Sequence, residues 1–285
     1  MPIQIEQIHP LFVGRAIGVD LRRPIDGETV RVISEAADRY AVLVFPGQPL
    51  TDDELAAFGA SFGPLYTAAA FKKQQVLRIS NLDENDQVRP ADDRVRAVMA
   101  GNELWHVDNT FSDPPAKYSM LLAVIVAPDG GETEFADSRA GYDALPPAMK
   151  KQVEELTAVH SFIYSRSLNA VVQFTDEQRA ALPPRKRALV KTNPNTQRKS
   201  LYVTSHIEEV VGWPLDDGRA LIRELTEVIT QPRFVYRHRW NPGDLIMYDN
   251  RAAMHRVLPF ASFAHPRDMR AIRVLDVADP DRMPA

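Results

Sequence analysis

Apolar residues in this chain follow two periods. In DGETVRVISEAADRY (26–40), Val30, Ile33, Ala36 and Ala37 recur at helical spacing, and TDDELAAFGASFG (51–63) opens with Thr51 and acidic residues, as a capped helix does. Between them, AVLVFPG (41–47) is a short apolar run stopped by Pro-Gly, which predicts a buried strand, and QVLRIS (75–80) alternates as a strand does. From 117 onward strands crowd together: KYSMLLAVIVA (117–127), ETEFADS (132–138), a hairpin in ALVKTNPNTQRKSLYVT (188–204) turning at Asn-Pro-Asn-Thr, a second hairpin of FVYRHRW (234–240) and LIMYDN (245–250) around NPGD, and AIRVLDVAD (271–279). AGYDALPPAMKKQVEELTAVH (140–160) reads as helix on either side of its prolines, and DDGRALIRELTEVITQ (216–231) as an amphipathic helix. Residues 82–102 are polar and without period, which predicts a mobile surface loop of the kind that gates sites. Closely spaced strands with helices mostly outside the run predict a mainly β fold with flanking helices, a jelly-roll-like sandwich or barrel, over a single domain 1–285.

Composition narrows the chemistry. The net charge of −4 gives no reason to expect nucleic acid or an anionic membrane as partner. No apolar run has the length of a membrane span, and the N-terminus lacks the basic-then-apolar pattern of a secretory signal. Cysteine is absent, which excludes disulfides, thiolate metal sites and cysteine nucleophiles and fits a cytoplasmic protein. Any metal must be held by nitrogen and oxygen.

One stretch offers such ligands. ELWHVDNTF (103–111) puts His106 and Asp108 two residues apart, so that on a strand both would face the same way. The pair could be a buried His–Asp hydrogen bond or two metal ligands. His255, reached through WNPGDLIMYDNRAAMH, is the best third candidate. Two imidazoles and a carboxylate on one face of an ion form the facial triad suited to non-haem Fe(II), with sites left open for a cosubstrate and O₂. His9, His160, His238 and His265 fit structural or solvated roles better, and His206 could line a pocket.

Four segments then carry a family resemblance: WHVDNTF (105–111), GGETEF (130–135), WNPGDLIMYDNRAAMHR (240–256) and PRDMR (266–270). In this order and approximate spacing they resemble the Fe(II)/2-oxoglutarate-dependent dioxygenases of the taurine dioxygenase / 2,4-dichlorophenoxyacetate dioxygenase family. AKYSM (116–120), AGYDALP (140–146) and FVYRHRWNPGDL (234–245) are most similar to its phenoxyacetate-cleaving branch. The resemblance implies a double-stranded β-helix core. It implies His106, Asp108 and His255 as iron ligands, Thr133 and Arg267 as partners of the far carboxylate of 2-oxoglutarate, Tyr248 as an aromatic beside that cosubstrate, and Asn102 on the substrate side. The implied reaction couples decarboxylation of 2-oxoglutarate to hydroxylation of a small anionic substrate, here an aryloxyacetate, which then splits to a phenol and glyoxylate. Self-association into a homo-oligomer is a further expectation.

Two departures leave choices open. Eleven residues separate His255 from Arg267, one more than the family's usual spacing, so either a loop carries an insertion or Arg270 takes the role of Arg267. The family's second arginine, four positions after the first, is Ala271 here. Arg273, on the face of Arg267 by strand parity, or Lys72 and Lys73 in AAAFKKQQ could supply the missing charge. Phe71, Phe111 and FIYSR (162–166) are candidate walls for an aromatic ring. A taurine-like sulfonate is the alternative substrate. A Zn²⁺ hydrolase and a non-catalytic module are the rival classes; the first lacks an H-E-x-x-H motif and the second should have lost a ligand.

Overall fold

The computed structural model describes residues 3–67, 74–168 and 172–278. Phe71, Lys72 and Lys73 lie outside the described residues. In chain order the strands are β1 (Gln4–Gln7), β2 (Gly14–Ile17), β3 (Val42–Phe45), β4 (Leu77–Ser80), β5 (Ala116–Ile125), β6 (Thr133–Asp137), β7 (Thr157–His160), β8 (Arg185–Ala188), β9 (Val190–Thr192), β10 (Lys199–Leu201), β11 (Ile207–Val210), β12 (Val235–His238), β13 (Leu245–Asp249), β14 (Ala253–Val257) and β15 (Asp268–Leu275). The helices are α1 (Gly27–Tyr40), α2 (Asp52–Ala60), α3 (Arg94–Ala100), α4 (Ser138–Ala144), α5 (Pro147–Glu154), α6 (Phe162–Ser167), α7 (Asp176–Ala181) and α8 (Leu215–Ile229). None of these helices is long and apolar enough to cross a membrane.

A seven-stranded sheet, ordered β1-β2-β3-β13-β5-β15-β4, packs against a three-stranded sheet, β12-β6-β14, in the jelly-roll arrangement of a double-stranded β-helix. The long apolar run of β5 follows from burial on both faces. Tyr118, Met120 and Leu122 pack toward α1 and α2, against Ile33, Tyr40, Leu55 and Phe58. Leu121 and Ala123 point inward, into the layer shared with Phe135 of β6 and Ile246 and Tyr248 of β13. β13 alternates in the same way, Leu245 and Met247 outward and Ile246 and Tyr248 inward. Helix α8 covers the outer side of the small sheet through Leu221, Leu225 and Ile229, which meet Ala136 and Met254. Helix α2 starts where the sequence predicts: Thr51 Oγ1 accepts from the Glu54 amide at 3.2 Å and the Glu54 carboxylate accepts from the Thr51 amide at 2.8 Å.

The structure departs from expectation at four places. The predicted hairpin 234–250 is no hairpin: β12 pairs with β6 and β13 with β3 and β5, so the NPGD turn crosses between sheets. The 140–160 stretch has its helices on either side of Pro146 and Pro147, as expected, but its last residues form the strand β7, because Val159 and His160 find partners in β11 and β8. Residues 94–100, within the predicted loop, form α3, capped by Asp93, whose carboxylate accepts from the Val95 amide at 2.7 Å. His106 makes only an isolated bridge; the chain turns at once, with Asn109 at φ 51°, so no regular strand carries the His-x-Asp pair.

Candidate active site

His255 sits on β14, paired across the small sheet with Phe135. On its other side the main chains of His106 and His255 exchange both hydrogen bonds at 2.9 Å, and directly opposed residues of an antiparallel pair present their side chains to the same face. The two imidazoles therefore meet, ring centroids 4.1 Å apart. Val107 points the opposite way into the core, and Asp108 returns to the histidines. His106 Nε2 lies 3.9 Å from Asp108 Oδ1 and His255 Nε2 lies 4.0 Å from Oδ2, all three side chains buried. One potential ligand atom from each falls within 4.8 Å of the others.

The protonation of the cluster suits a cation. His106 Nδ1 donates to the Leu104 carbonyl at 2.8 Å, which leaves its Nε2 lone pair facing Asp108. Burial pulls His106 down to about 3, and it likewise lowers His255, so both rings are neutral. Burial alone would raise Asp108; the Arg273 guanidinium, by its charge and its hydrogen bond, outweighs it and holds the carboxyl well below the usual range. Two neutral imidazoles and one carboxylate, without a thiolate, match the donor set for Fe(II) with coordination positions to spare.

The carboxylate is fixed from three sides. Ser119 of β5 and Tyr248 of β13 each donate to Asp108 Oδ2 at 2.8 Å, and Arg273 of β15 donates to Oδ1 at 3.1 Å. The Asn250 side chain closes the ring: its Oδ1 accepts from the Asp108 amide at 3.1 Å, and its Nδ2 donates to Ser119 at 2.9 Å. Tyr248 OH also lies 3.2 Å from His255 Nε2, so this aromatic contacts the candidate ligands themselves.

Two neighbouring cavities share Ile79, Met99 and Asn102 as walls, and the smaller of them reaches the cluster at Asp108. The larger, about 470 Å³, contains Arg267, Val257 and Phe260. Arg267 is buried, has no carboxylate partner among the described residues, and burial alone pulls its guanidinium down to about 10. Its Nε donates to the Gly131 carbonyl at 3.2 Å. That approach explains the second glycine of GGETEF, and the Pro259 carbonyl, 2.5 Å from where a Cβ on Gly130 would lie, explains the first. Gly130 and Gly131 take φ of +75° and +71°, and a Cβ on Gly131 would lie 3.2 Å from Arg267 Nε. Thr133 is buried, accepts from Trp240 Nε1 at 3.0 Å, and is paired on β6 with Val257, a wall residue of that cavity. Arg270 points to the other face of the sheet, where it pairs with Asp268 at 2.6 Å and Asp52 at 3.2 Å. Ala271 packs in the layer between the sheets.

The smaller cavity, about 250 Å³, opens on Asp108 and is lined by Phe111, Phe162, Arg166, His206 and Arg273. Asn102, Phe111 and His206 all line this pocket, with the Phe111 and His206 rings 4.9 Å apart. Arg273 does reach the centre, though onto Asp108. Ser119 and Asn250 escaped the sequence reading, and Arg166 entered it only as the end of FIYSR, a candidate aromatic wall, and not as a cation. Ser119 and Asn250 are small polar residues inside or beside apolar strands, a faint sign of a buried network. Arg166 is the one charge in the stretch SFIYSRS (161–167), at i+4 from Phe162 on the buried face of α6.

Comparison with known proteins places these features in context. The sequence profile of the family "Taurine catabolism dioxygenase TauD, TfdA family" matches residues 4–273. The chain is 41% identical over 286 residues to an alpha-ketoglutarate-dependent 2,4-dichlorophenoxyacetate dioxygenase of Cupriavidus pinatubonensis, covering 98% of this chain and 99% of the relative. It is 40% identical over 264 residues to an enzyme of the same name from Burkholderia sp. (strain RASC), covering 90% and 89%. Among solved structures, AAD-2 in complex with Mn(II) and N-oxalylglycine superposes with a TM-score of 0.93 at 40% identity, over 100% of both chains.

Proposed function

The chain belongs to the taurine catabolism dioxygenase TauD, TfdA family, and we propose that it is an Fe(II)- and 2-oxoglutarate-dependent dioxygenase acting on an aryloxyacetate such as 2,4-dichlorophenoxyacetate. The observation that carries this reading is the convergence of His106, Asp108 and His255 at a cavity that Asp108 lines, next to a second cavity whose buried Arg267 has no carboxylate partner among the described residues. His106, Asp108 and His255 would hold the iron. Arg267, with Thr133 nearby, would bind the distal carboxylate of 2-oxoglutarate, a use for a buried forked cation that burial otherwise disfavours. When bound, the iron and its cosubstrate supply the O₂ activation that puts a hydroxyl on the carbon between ether oxygen and carboxylate.

The chain's own residues orient and enclose. Ser119 and Tyr248 hold the Asp108 rotamer so that the carboxylate is preorganised for the cation. The phenol of Tyr248 is pushed well above its ordinary value by burial and by Asp108, so it stays protonated and a donor. Phe111, Phe162 and Val98 give the smaller cavity an apolar wall suited to an aryl ring and exclude water from the reacting carbon. The hydroxylated substrate is a hemiacetal: its ether C–O bond breaks, the hydroxyl proton passes to the departing phenoxide, and phenol and glyoxylate result, with succinate and CO₂ from the cosubstrate. To the same reading belong a cytoplasmic location, supported by the cysteine-free composition, and self-association.

The test supplies Fe(II), ascorbate, 2-oxoglutarate and O₂ with phenoxyacetates, 2-aryloxypropionates and taurine, and follows succinate and phenol together. Matched release of both with an aryloxy acid is expected. Succinate with taurine alone would move the chain to the sulfonate alternative, and no coupled turnover with any acid would overturn the substrate class.

A further inference from the structure

The proposed substrate has an anionic head, and Ala271, on the same face of the strand as Arg273, packs in the apolar layer and offers no charge. The charged side chains among the described walls of the smaller cavity are Arg78, Asp108, Arg166 and Arg273. Arg78 is taken by Asp268 at 3.0 Å and Asp86 at 2.5 Å, and Arg273 by Asp108 at 3.1 Å. Arg166 has no carboxylate partner among the described residues. It is 8% exposed, one amino group donates to Asn102 Oδ1 at 3.2 Å, and its buried Nε has no hydrogen-bond partner among the described residues. A guanidinium removed from water without a counter-ion is costly unless an anion completes it.

The site is built around this side chain. A Cβ on Gly101 would lie 1.8 Å from Arg166 Nη1, so no other residue leaves room for the guanidinium. Gly101 itself has an ordinary helical conformation, φ −63°, so its glycine serves space and not backbone freedom. The guanidinium carbon lies 4.7 Å from the centre of the Phe162 ring, and Phe162 is 5.0 Å from Phe111. A fixed cation with free donors therefore stands beside an aromatic wall, in the cavity that opens on Asp108. That is the pairing an aryloxyacetate presents, a carboxylate one carbon and one oxygen away from a ring.

We propose that Arg166, seated by Gly101 and Asn102, is the residue that binds the substrate's carboxylate. Arg273, engaged with Asp108, is then a positioning residue for the metal-binding carboxylate. This assignment rests on the dioxygenase reading above, and its test is separable from it.

The experiment is calorimetric titration of the protein loaded with Mn(II) and N-oxalylglycine, a complex that does not turn over, with phenoxyacetate and with uncharged 2-phenoxyethanol. For Arg166→Gln, phenoxyacetate should bind about 10- to 100-fold more weakly. Its affinity for 2-phenoxyethanol and for N-oxalylglycine should stay within about threefold, less than the loss of one charged hydrogen bond. Arg166→Lys should recover part of the loss. Gly101→Ala keeps the charge but takes its space, and should weaken phenoxyacetate selectively as well, which guards against a misfolded Gln variant. Unchanged phenoxyacetate affinity in Arg166→Gln overturns the assignment, and so does a loss that falls on N-oxalylglycine instead. Absence of succinate from the unaltered protein overturns the dioxygenase reading; if that protein also fails to bind phenoxyacetate, the Arg166 assignment falls with it.

Discussion

His106 and His255 are joined through their backbones: each amide donates to the other's carbonyl at 2.9 Å, and this pairing sets their rings 4.1 Å apart. The histidine side chains are therefore placed by main-chain bonds that do not depend on them. His255→Ala should fold with its secondary structure intact and yet lose metal. Its affinity for Mn(II) should fall by more than about 100-fold, beyond the cost of losing a supporting hydrogen bond. The anaerobic Fe(II)–2-oxoglutarate complex should show a weak visible absorption band in the intact protein and none in the variant. A variant that retains the band would remove His255 from the ligand set.

Arg273 neutralises a buried carboxylate that a metal would neutralise as well. Arg273→Met should destabilise the metal-free protein by about 3–5 kcal/mol, the cost of leaving one member of a buried pair uncompensated. Saturating Mn(II) should restore most of that loss. Urea unfolding with and without Mn(II) measures both. An equal loss in the two conditions would show that Arg273 acts by packing alone.

The choice between Arg267 and Arg270 is open to direct test. Arg267 faces the larger cavity and Arg270 faces Asp52 and Asp268 on the outer side. Arg267→Lys replaces a fork by a point charge and should weaken N-oxalylglycine binding about 10-fold or more, whereas Arg270→Lys should change it less than about twofold. Calorimetry on the Mn(II)-loaded proteins reads the difference, and a reversed order would reassign the cosubstrate arginine.

His160 predicts a pH effect remote from the candidate ligands. It is fully buried, both ring nitrogens lack partners, and burial, with Arg187 and Lys191 adding to it, lowers it to about 3. Between pH 6.5 and 3 the unfolded chain binds a proton there and the folded chain does not, so stability falls as pH falls through this window. At pH 5 this histidine costs about 2 kcal/mol relative to pH 7.5. Other buried histidines act in the same direction, so the measurement is a difference: urea unfolding of the metal-free protein and of His160→Phe at both pH values. The variant should lose about 2 kcal/mol less on acidification. An identical loss would mean that His160 is protonated in the folded state.

The local elements were legible because their signals are local. Thr51 with Glu54 marks a helix start in sequence as it does in space, and the Val–Leu–Val–Phe run of β3 can only be a strand buried on both faces. Helix α3 was not legible: its seven residues, RVRAVMA, carry no sustained period, and its apolar residues are only half-buried against the cavities. The NPGD turn was misleading, since a tight turn says nothing about whether the strands on its two sides join the same sheet.

By itself the sequence determined the donor types and their order: two histidines and an aspartate without cysteine, an arginine after the second histidine, and a glycine pair ahead of Thr133. Each of these follows from side-chain chemistry or from a local backbone requirement. Only the tertiary structure decided what those groups face. The bridge between His106 and His255 spans 149 residues of chain. Arg267, just before β15, was separated from Arg270, on it, by what each faces: a cavity for the first, Asp52 and Asp268 for the second. Arg273 was drawn onto Asp108, and Arg166 was brought from α6 into a space that Gly101 keeps open. Burial and charge pairing are properties of surroundings assembled from distant segments, and no window of sequence contains them.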